Sequence, residues 1–149
     1  MEIYFVWKNR FLLEMSEKIY FDYVQGLTFF DWSWNKVNIS EFWISYEKLN
    51  DTNYFIKIKD KKLIYSISSY NDLLMDKTEL VNLDLLLIDV YSQNIYYDIL
   101  WKKRFKKIVP MWFDSWFNNM EELNEFSRQI MLNNISTPKV IKPWQYIWI

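Results

Sequence analysis

The residues best suited to contact a charged partner lie in one stretch, 101–117, which reads WKKRFKKIVPMWFDSWF. Five of the chain's 18 basic residues fall within six positions of this stretch, and bulky aromatic residues surround them. Lysine ammonium groups bind nucleic-acid phosphates, and rings such as Trp101 and Phe105 can stack on bases. Two interpretations follow: a nucleic-acid-binding surface, or a solvated basic face that meets an acidic partner.

A helical wheel favours the second interpretation. From Ile95 to Ile108 the apolar positions share one stripe, and Lys102, Lys103, Lys106 and Lys107 lie opposite it. A stacking platform needs rings and charges on the same side of the element. The four lysines are therefore candidate partner-binding residues, and Pro110 is expected to end this helix or to begin the next one.

Two tryptophans and three acidic residues complete the set of candidates. Trp32 and Trp34 alternate with polar residues within 27–39, so they are predicted to share one face of a half-buried strand. That face either packs in the core or presents a platform to a partner or a sugar ring. The connection 71–79 supplies the acidic candidates Asp72, Asp76 and Glu79.

The search for catalytic chemistry yields one weak pattern. Asp60 and Lys62, with Asp51 upstream, loosely resemble the acid-x-lysine element of metal-dependent nucleases. They lie at the predicted tip of a hairpin, where Asp and Lys are ordinary turn residues. The chain has no His and no Cys, and its single Gly argues against a glycine-built phosphate cradle. We expect no catalytic residue, no metal site and no cofactor.

Composition limits the class of protein. With 149 residues, of which 51% are hydrophobic and 21% aromatic, the chain is predicted to form a single globular domain over 1–149. No apolar run approaches the roughly 18 residues that span a bilayer, and Glu2 with a short apolar run does not fit a signal peptide. We expect a cytoplasmic protein without membrane association, and the lack of cysteine is compatible with a reducing compartment.

The charge is unevenly distributed. The net charge is −1, but without the five basic residues of 102–107 the remaining 13 basic residues face 19 acidic ones, which leaves −6. The pattern describes one basic cluster on a moderately acidic body.

The elements that would position these residues follow from hydrophobic periodicity. In the first half, the sequence predicts a strand at Ile3–Trp7, a helix at Phe11–Val24 that ends at Gly26, a strand at Leu27–Ile39 and a hairpin of Tyr54–Ile58 with Leu63–Ile67. Segment Glu41–Leu49 fits either a helix or a strand.

The second half is predicted to begin with a strand at Leu80–Tyr91, whose LLLID run is apolar on both faces and suits a central position. An amphipathic helix follows, either over Pro110–Asn133 or from Asn119 with Glu122 as its capping-box partner. Residues 137–149 are predicted to be an extended aromatic segment that docks on the body or on a partner.

These elements predict an α+β fold: a mainly antiparallel sheet with an N-terminal helix and a long C-terminal amphipathic helix packed against it. The favoured function is a non-enzymatic protein-binding inhibitor, an immunity-type factor that neutralises a toxin or nuclease by direct binding. The alternative is a small nucleic-acid-binding module that uses the basic helix Lys102–Lys107. A third hypothesis is an enzyme of unrecognised type that works with carboxylates, Lys, Tyr or Ser alone.

Overall fold

A computed structural model of the chain describes residues 1–7, 10–23, 26–51, 53–66, 82–89, 104–111, 120–135 and 145–149. Within these residues the chain forms ten strands, one 3-10 helix and one α-helix. They are β1 Glu2–Trp7, β2 Arg10–Glu14, β3 Lys18–Tyr23, β4 Leu27–Phe30, the 3-10 helix Ile39–Phe42, β5 Ile44–Lys48, β6 Asn53–Ile58, β7 Lys61–Ser66, β8 Leu85–Asp89, β9 Lys107–Met111, α1 Met120–Leu132 and β10 Tyr146–Trp148.

The strands form two five-stranded sheets. Sheet I has the order β10-β1-β2-β3-β4, and all its neighbouring strands are antiparallel. Sheet II has the order β5-β6-β7-β8-β9, in which β5, β6 and β7 are antiparallel while β7, β8 and β9 are parallel. Sheet I is therefore built from chain neighbours plus the C-terminal strand, and sheet II is mixed.

The inner faces of the two sheets share one hydrophobic core, to which every strand contributes. Along each strand alternate residues point inward, as the two-residue period of a strand requires. Phe11 and Phe21 of sheet I meet Tyr65 of sheet II in this core, with ring centroids 6.3 and 5.7 Å from the tyrosine ring. The arrangement is a sandwich of two sheets.

Helix α1 covers the outer face of sheet II. Phe126 and Ile130 of the helix join Leu86, Ile88 and Ile108 of the sheet in a second buried cluster. The neighbouring residues of β8, Leu85 and Leu87, belong to the inter-sheet core. Strand β8 is thus apolar on both faces and lies between β7 and β9, which confirms the central position predicted for the LLLID run.

The predicted α+β fold with an N-terminal helix is wrong. The described residues are mostly β, and their one α-helix is the C-terminal α1, which has 13 residues. The stretch predicted as helix Phe11–Val24 forms strands β2 and β3 in its described part, joined by a turn at Met15–Glu17. Gly26, expected to end that helix, instead precedes β4 with φ of +123°, a conformation that glycine adopts without strain.

The other assignments divide between confirmed and corrected. The predicted strand at Ile3–Trp7 corresponds to β1, and the predicted hairpin corresponds to β6 and β7. Segment 41–49, for which the sequence allows a helix or a strand, contains the end of the 3-10 helix followed by strand β5. The strand predicted over Leu27–Ile39 ends at Phe30.

The basic stretch is not helical where it is described. Residues 95–103 and 112–119 lie outside the described residues, but Lys107–Met111 is a strand, β9, at the edge of sheet II. Pro110 lies within this strand opposite Ile88. Proline has no backbone N–H to donate to a neighbouring strand. An edge strand accommodates it, because one side of that strand has no neighbour to receive the bond. The helical wheel therefore misplaced Lys106 and Lys107.

The aromatic C-terminal segment docks on the body, as predicted, in its described part. Strand β10 pairs with β1, with Ile147 opposite Ile3. The Lys107 ammonium group donates to the backbone carbonyl of Trp148, which ties the β9 edge of sheet II to the β10 edge of sheet I.

Candidate functional site

The outer face of sheet I carries a row of large apolar side chains that crosses all five strands. Tyr146 of β10 lies opposite Tyr4, Tyr4 opposite Leu12, Leu12 opposite Tyr20, and Tyr20 opposite Phe30. None of these five residues belongs to the two core clusters. Leu12 is nevertheless buried, with 4% exposure, while the other four are at least partly exposed. We call these five residues the aromatic row.

Neighbouring rings of the aromatic row are in contact at its β10 end. The ring centroids of Tyr4 and Tyr146 are 5.2 Å apart, and those of Tyr146 and Trp148 are 6.3 Å apart in an edge-on arrangement. Tyr146 is 47% exposed and Trp148 57% exposed. Aromatic pairs with these separations are mutually stabilising, so the rings form a surface with a defined shape.

Trp34 extends the aromatic row at its β4 end. Its ring stacks on Tyr20 with centroids 5.6 Å apart and meets Phe30 at 6.1 Å. The guanidinium group of Arg10 lies 4.5 Å from the indole centroid and is itself fixed by two hydrogen bonds to Oδ2 of the buried Asp22, at 2.8 and 2.6 Å. Trp34 remains 54% exposed, so the ring is held in place and is still accessible to a partner.

A tight turn after β4 positions Trp34. Asp31 Oδ1 accepts hydrogen bonds from the backbone N–H groups of Ser33 and Asn35, at 2.8 and 2.9 Å. The hydrogen bond from the backbone of Asn35 is the main reason that the pKa of Asp31 lies below its usual value, although partial burial opposes it. Trp34 adopts a left-handed conformation with φ of 64°, which the turn must enforce because a side chain at this φ is disfavoured.

The predicted strand face of Trp32 and Trp34 is therefore wrong in its geometry. Both residues lie in the turn beyond β4, where the two-residue period of a strand does not apply. Trp34 folds back onto the outer face of sheet I, whereas Trp32 is 78% exposed in the turn. Of the two, Trp34 belongs to the candidate site by its ring contacts.

A charged rim borders the aromatic row near the start of β1. Glu2 lies opposite both Glu14 and Trp148, and Lys18 lies opposite Glu14, with its ammonium group 3.6 Å from a carboxylate oxygen. The Tyr4 hydroxyl donates a 2.6 Å hydrogen bond to Glu2, and hydrogen bonding to Glu2 and then to Glu14 raises the pKa of Tyr4. An open cleft of about 460 Å³ adjoins this rim.

Two of the four candidate lysines, Lys106 and Lys107, belong to the described residues, and their ammonium groups bind different parts of the fold. The Lys106 ammonium group bonds to Asp84 Oδ1 at 2.7 Å, and the Lys107 ammonium group bonds to the carbonyl of Trp148. Lys102 and Lys103 lie outside the described residues, as do the acidic candidates Asp72, Asp76 and Glu79. The structure thus gives Lys106 and Lys107 contacts within the fold.

The acid-x-lysine pattern falls on the β6–β7 turn, where it was expected. Asp60 pairs with Lys61 at 3.2 Å, and the backbone N–H of Lys62 donates to Asp84. Across the described ranges, no three acidic side chains gather in a way that would hold a metal ion. The same ranges contain no helix with the length and apolar character needed to cross a membrane.

Sequence reasoning missed most of the aromatic row. Tyr4, Tyr20 and Phe30 lie on three different strands, and each follows a residue that points into the inter-sheet core. The sequence pattern nevertheless predicts one helix where β2 and β3 lie. The available signal was the alternation Phe11, Leu13, Ile19 and Phe21, whose side chains all point into the inter-sheet core.

No protein-family model and no curated protein matches the chain. Among solved structures, the chain is similar to one described as Igni18, a novel metallo hydrolase from the hyperthermophilic archaeon Ignicoccus hospitalis KIN4/I, with a TM-score of 0.48 and 12% sequence identity. The match covers 91% of this chain and 56% of that chain, so this chain spans little more than half of its length. At this degree of similarity the likeness supplies no argument about function.

Proposed function

We propose that this protein is a non-enzymatic protein-binding inhibitor that engages its partner through the aromatic outer face of sheet I. The observation that carries the proposal is the aromatic row with Trp34 and Trp148 at its ends. Its rings lie on both sides of the buried Leu12, and two of them, Trp34 and Trp148, are more than half exposed. Tyr, Trp and Arg are the residues that most often dominate binding energy in protein interfaces.

The rigidity of this face supports the proposal. Trp34 is held by Tyr20, Phe30 and Arg10, and Arg10 is held by Asp22. Side chains that are ordered before binding lose less conformational entropy when the complex forms, so more of the contact energy appears as affinity. An ordered sheet face also suits a folded protein surface better than a small molecule, which binds in a concave pocket.

The form of binding we propose is that of an immunity-type factor, which neutralises a toxin or nuclease by direct contact, and we propose that it acts in the cytoplasm. The small size of the chain, its cysteine-free composition and its acidic body outside 102–107 support this form. The role is argued from the class of binding surface and from composition.

The test is affinity capture with matched variants. The full chain is immobilised and exposed to a lysate of the cells that produce it, beside the variants Trp34→Ser, Tyr146→Ser and Trp43→Ser. Trp43 is the control because it is 77% exposed but precedes β5 of sheet II. We expect one protein to be retained stoichiometrically by the wild type and by Trp43→Ser. Retention by the other two variants should fall about tenfold or more, as for interface hot spots.

The captured protein is then assayed with and without added chain. Inhibition at a one-to-one ratio supports the inhibitor role. If all four proteins retained the partner equally, the binding surface would not be the outer face of sheet I. If the activity of the captured protein did not change when the chain was added, the chain would bind that protein without inhibiting it.

A further inference from the structure

Strand β5 is an edge of sheet II, and among the described residues no strand pairs with its outer side. Folded proteins usually shield the outer strands of a sheet, and three of the four edges here are shielded: β4 by a backbone contact with Val37, β9 by Pro110, and β10 by its length of three residues. Strand β5 has five residues without proline or glycine, and Ser45–Lys48 are exposed. Such an edge pairs readily with another extended chain.

The register shows which backbone groups of β5 face outward. The Lys59 N–H donates to the carbonyl of Trp43 at 2.9 Å, and the Leu49 N–H donates to the carbonyl of Asn53 at 2.9 Å. Bonded pairs alternate along an antiparallel ladder, so Ser45 and Glu47 between them bond to β6. The N–H and C=O groups of Tyr46 and Lys48 therefore point away from β6, towards the open edge.

Two clefts flank this edge, one on each side of the sheet. A cleft of about 300 Å³ between β4 and β5 is lined by polar and apolar groups in equal measure, and its apolar side chains include Phe29, Val37 and Tyr46. A smaller cleft of about 120 Å³ on the opposite side is lined by Ser45, Glu47, Phe55 and Lys57 among others. An added strand would direct successive side chains alternately into the two clefts, because its side chains alternate between faces.

We propose that β5 binds an extended peptide segment of a partner protein, which adds to sheet II as a sixth strand. The main-chain hydrogen bonds of Tyr46 and Lys48 would supply affinity, and the two clefts would supply selectivity. The segment recognised would alternate between apolar residues, directed to the Phe29 cleft, and polar residues, directed to Ser45, Glu47 and Lys57. The backbone bonds of this surface belong to sheet II, and its cleft uses the inward-facing Phe29 of β4, so it is separate from the aromatic row on the outer face of sheet I.

The test uses nuclear magnetic resonance of the ¹⁵N-labelled full chain. The probe is a capped seven-residue peptide of alternating threonine and valine, with two further versions N-methylated either at the valines or at the threonines. We expect the parent peptide to shift the amide signals of Tyr46 and Lys48. One N-methylated version should bind like the parent, and the affinity of the other should fall about tenfold or more. The reason is that only alternate N–H groups of the bound peptide face β5.

Lys48→Pro is the decisive variant, with Lys48→Ala as its control. Proline at position 48 removes an outward N–H without touching the bonds to β6, so the fold should persist while peptide binding falls at least tenfold. Alanine at the same position should bind normally. A parent peptide that shifts neither amide at millimolar concentration, or equal binding of both N-methylated versions, would overturn the proposal. A dimer of the free chain in sedimentation that Lys48→Pro dissociates would also overturn it, since the occupant would then be a second copy.

Discussion

Asp31 holds the turn from which Trp34 projects. Its carboxylate accepts three hydrogen bonds, from the backbone N–H groups of Ser33 and Asn35 and from the Asn35 side-chain amide. A carboxylate that accepts backbone N–H bonds replaces the backbone pairing that a turn lacks. The position of the indole over Arg10 and Tyr20 therefore depends on a residue that follows directly after β4.

We predict that Asp31→Ala weakens the partner complex with little change in melting temperature. Without the carboxylate, the turn loses the three side-chain hydrogen bonds that support the disfavoured left-handed conformation of Trp34, so the indole should be held less firmly on the aromatic face. Titration calorimetry with the captured partner should show an affinity loss of about tenfold, close to that of Trp34→Ser. The control is Glu41→Ala, which removes another carboxylate that accepts an asparagine bond, from Asn38. Unchanged affinity in Asp31→Ala would show that the turn does not determine the position of Trp34 in the complex.

Asp84 is a nearly buried carboxylate that links three strands of sheet II. Burial alone would raise its pKa. The hydrogen bonds from the Lys106 ammonium group and the Lys62 backbone N–H outweigh that effect, so the pKa of Asp84 lies below its usual 3.8. A native pKa below the unfolded one means that the ionised form stabilises the fold above pH 3.8, and that this contribution disappears as the pH falls through the native value.

We predict that Asp84→Asn lowers the free energy of unfolding at pH 7 by about 1–3 kcal/mol, the usual effect of losing a hydrogen bond to a charged group. Urea unfolding at a series of pH values should show that the difference in free energy of unfolding between Asp84→Asn and the wild type shrinks as the pH falls below 3.8. Lys106→Met should also be less stable at pH 7, since it removes the same ion pair. A difference that stayed constant down to pH 2 would mean that Asp84 does not contribute through its charge.

At the scale of elements, hydrophobic periodicity identifies sheet II better than sheet I. In β6 the inward Ile56 and Ile58 alternate with the exposed Lys57, so the strand could be recognised from the sequence. In β2 and β3 the outward Leu12 and Tyr20 are apolar as well, so the alternation disappears and a helical wheel fits the same residues. The cause of the error is the apolar outer face of these two strands, which hides the alternation expected of a strand.

The basic stretch could not be assigned for a different reason. Pro110 usually marks the end of an element, and only the strand order makes it acceptable inside β9, because the order places β9 at an edge. Strand order depends on contacts between distant parts of the chain, which a single sequence does not display. Lys107 likewise reaches Trp148 across the chain, a contact that no local pattern predicts.

We predict that α1 is held by its buried side and tolerates changes on its exposed side. Ile130 is fully buried against sheet II, so Ile130→Ala should lower the free energy of unfolding by about 2–5 kcal/mol. The neighbouring Met131 is 64% exposed, and Met131→Ala should stay within about 0.5 kcal/mol of the wild type. Chemical denaturation measures both. If the two variants were equally stable, α1 would not stabilise sheet II through Ile130.

At the scale of the whole molecule, the two proposed binding surfaces lie on different parts of one sandwich. The aromatic row faces outward from sheet I, and the open edge is the β5 side of sheet II. Variants of Tyr146 and of Lys48 therefore report on different contacts, and a partner that used both surfaces would have to reach around the side of the sandwich. This separation allows the loss of one function to be recognised without the loss of the other.

Salt dependence distinguishes protein binding through the aromatic face from nucleic-acid binding through the lysines of 102–107. The charges described around the aromatic row occur largely in close opposite pairs, such as Arg10 with Asp22 and Glu14 with Lys18. We therefore predict that raising the salt from about 50 to about 200 mM weakens the partner complex less than about tenfold. Five lysine or arginine contacts to DNA phosphates would instead cost about 500-fold over the same range. Titrations of the captured partner and of a DNA duplex, each repeated with Lys102→Glu and Lys103→Glu, measure both cases. If affinity fell steeply with salt and these two substitutions abolished that dependence, the binding function would belong to the basic stretch and not to sheet I.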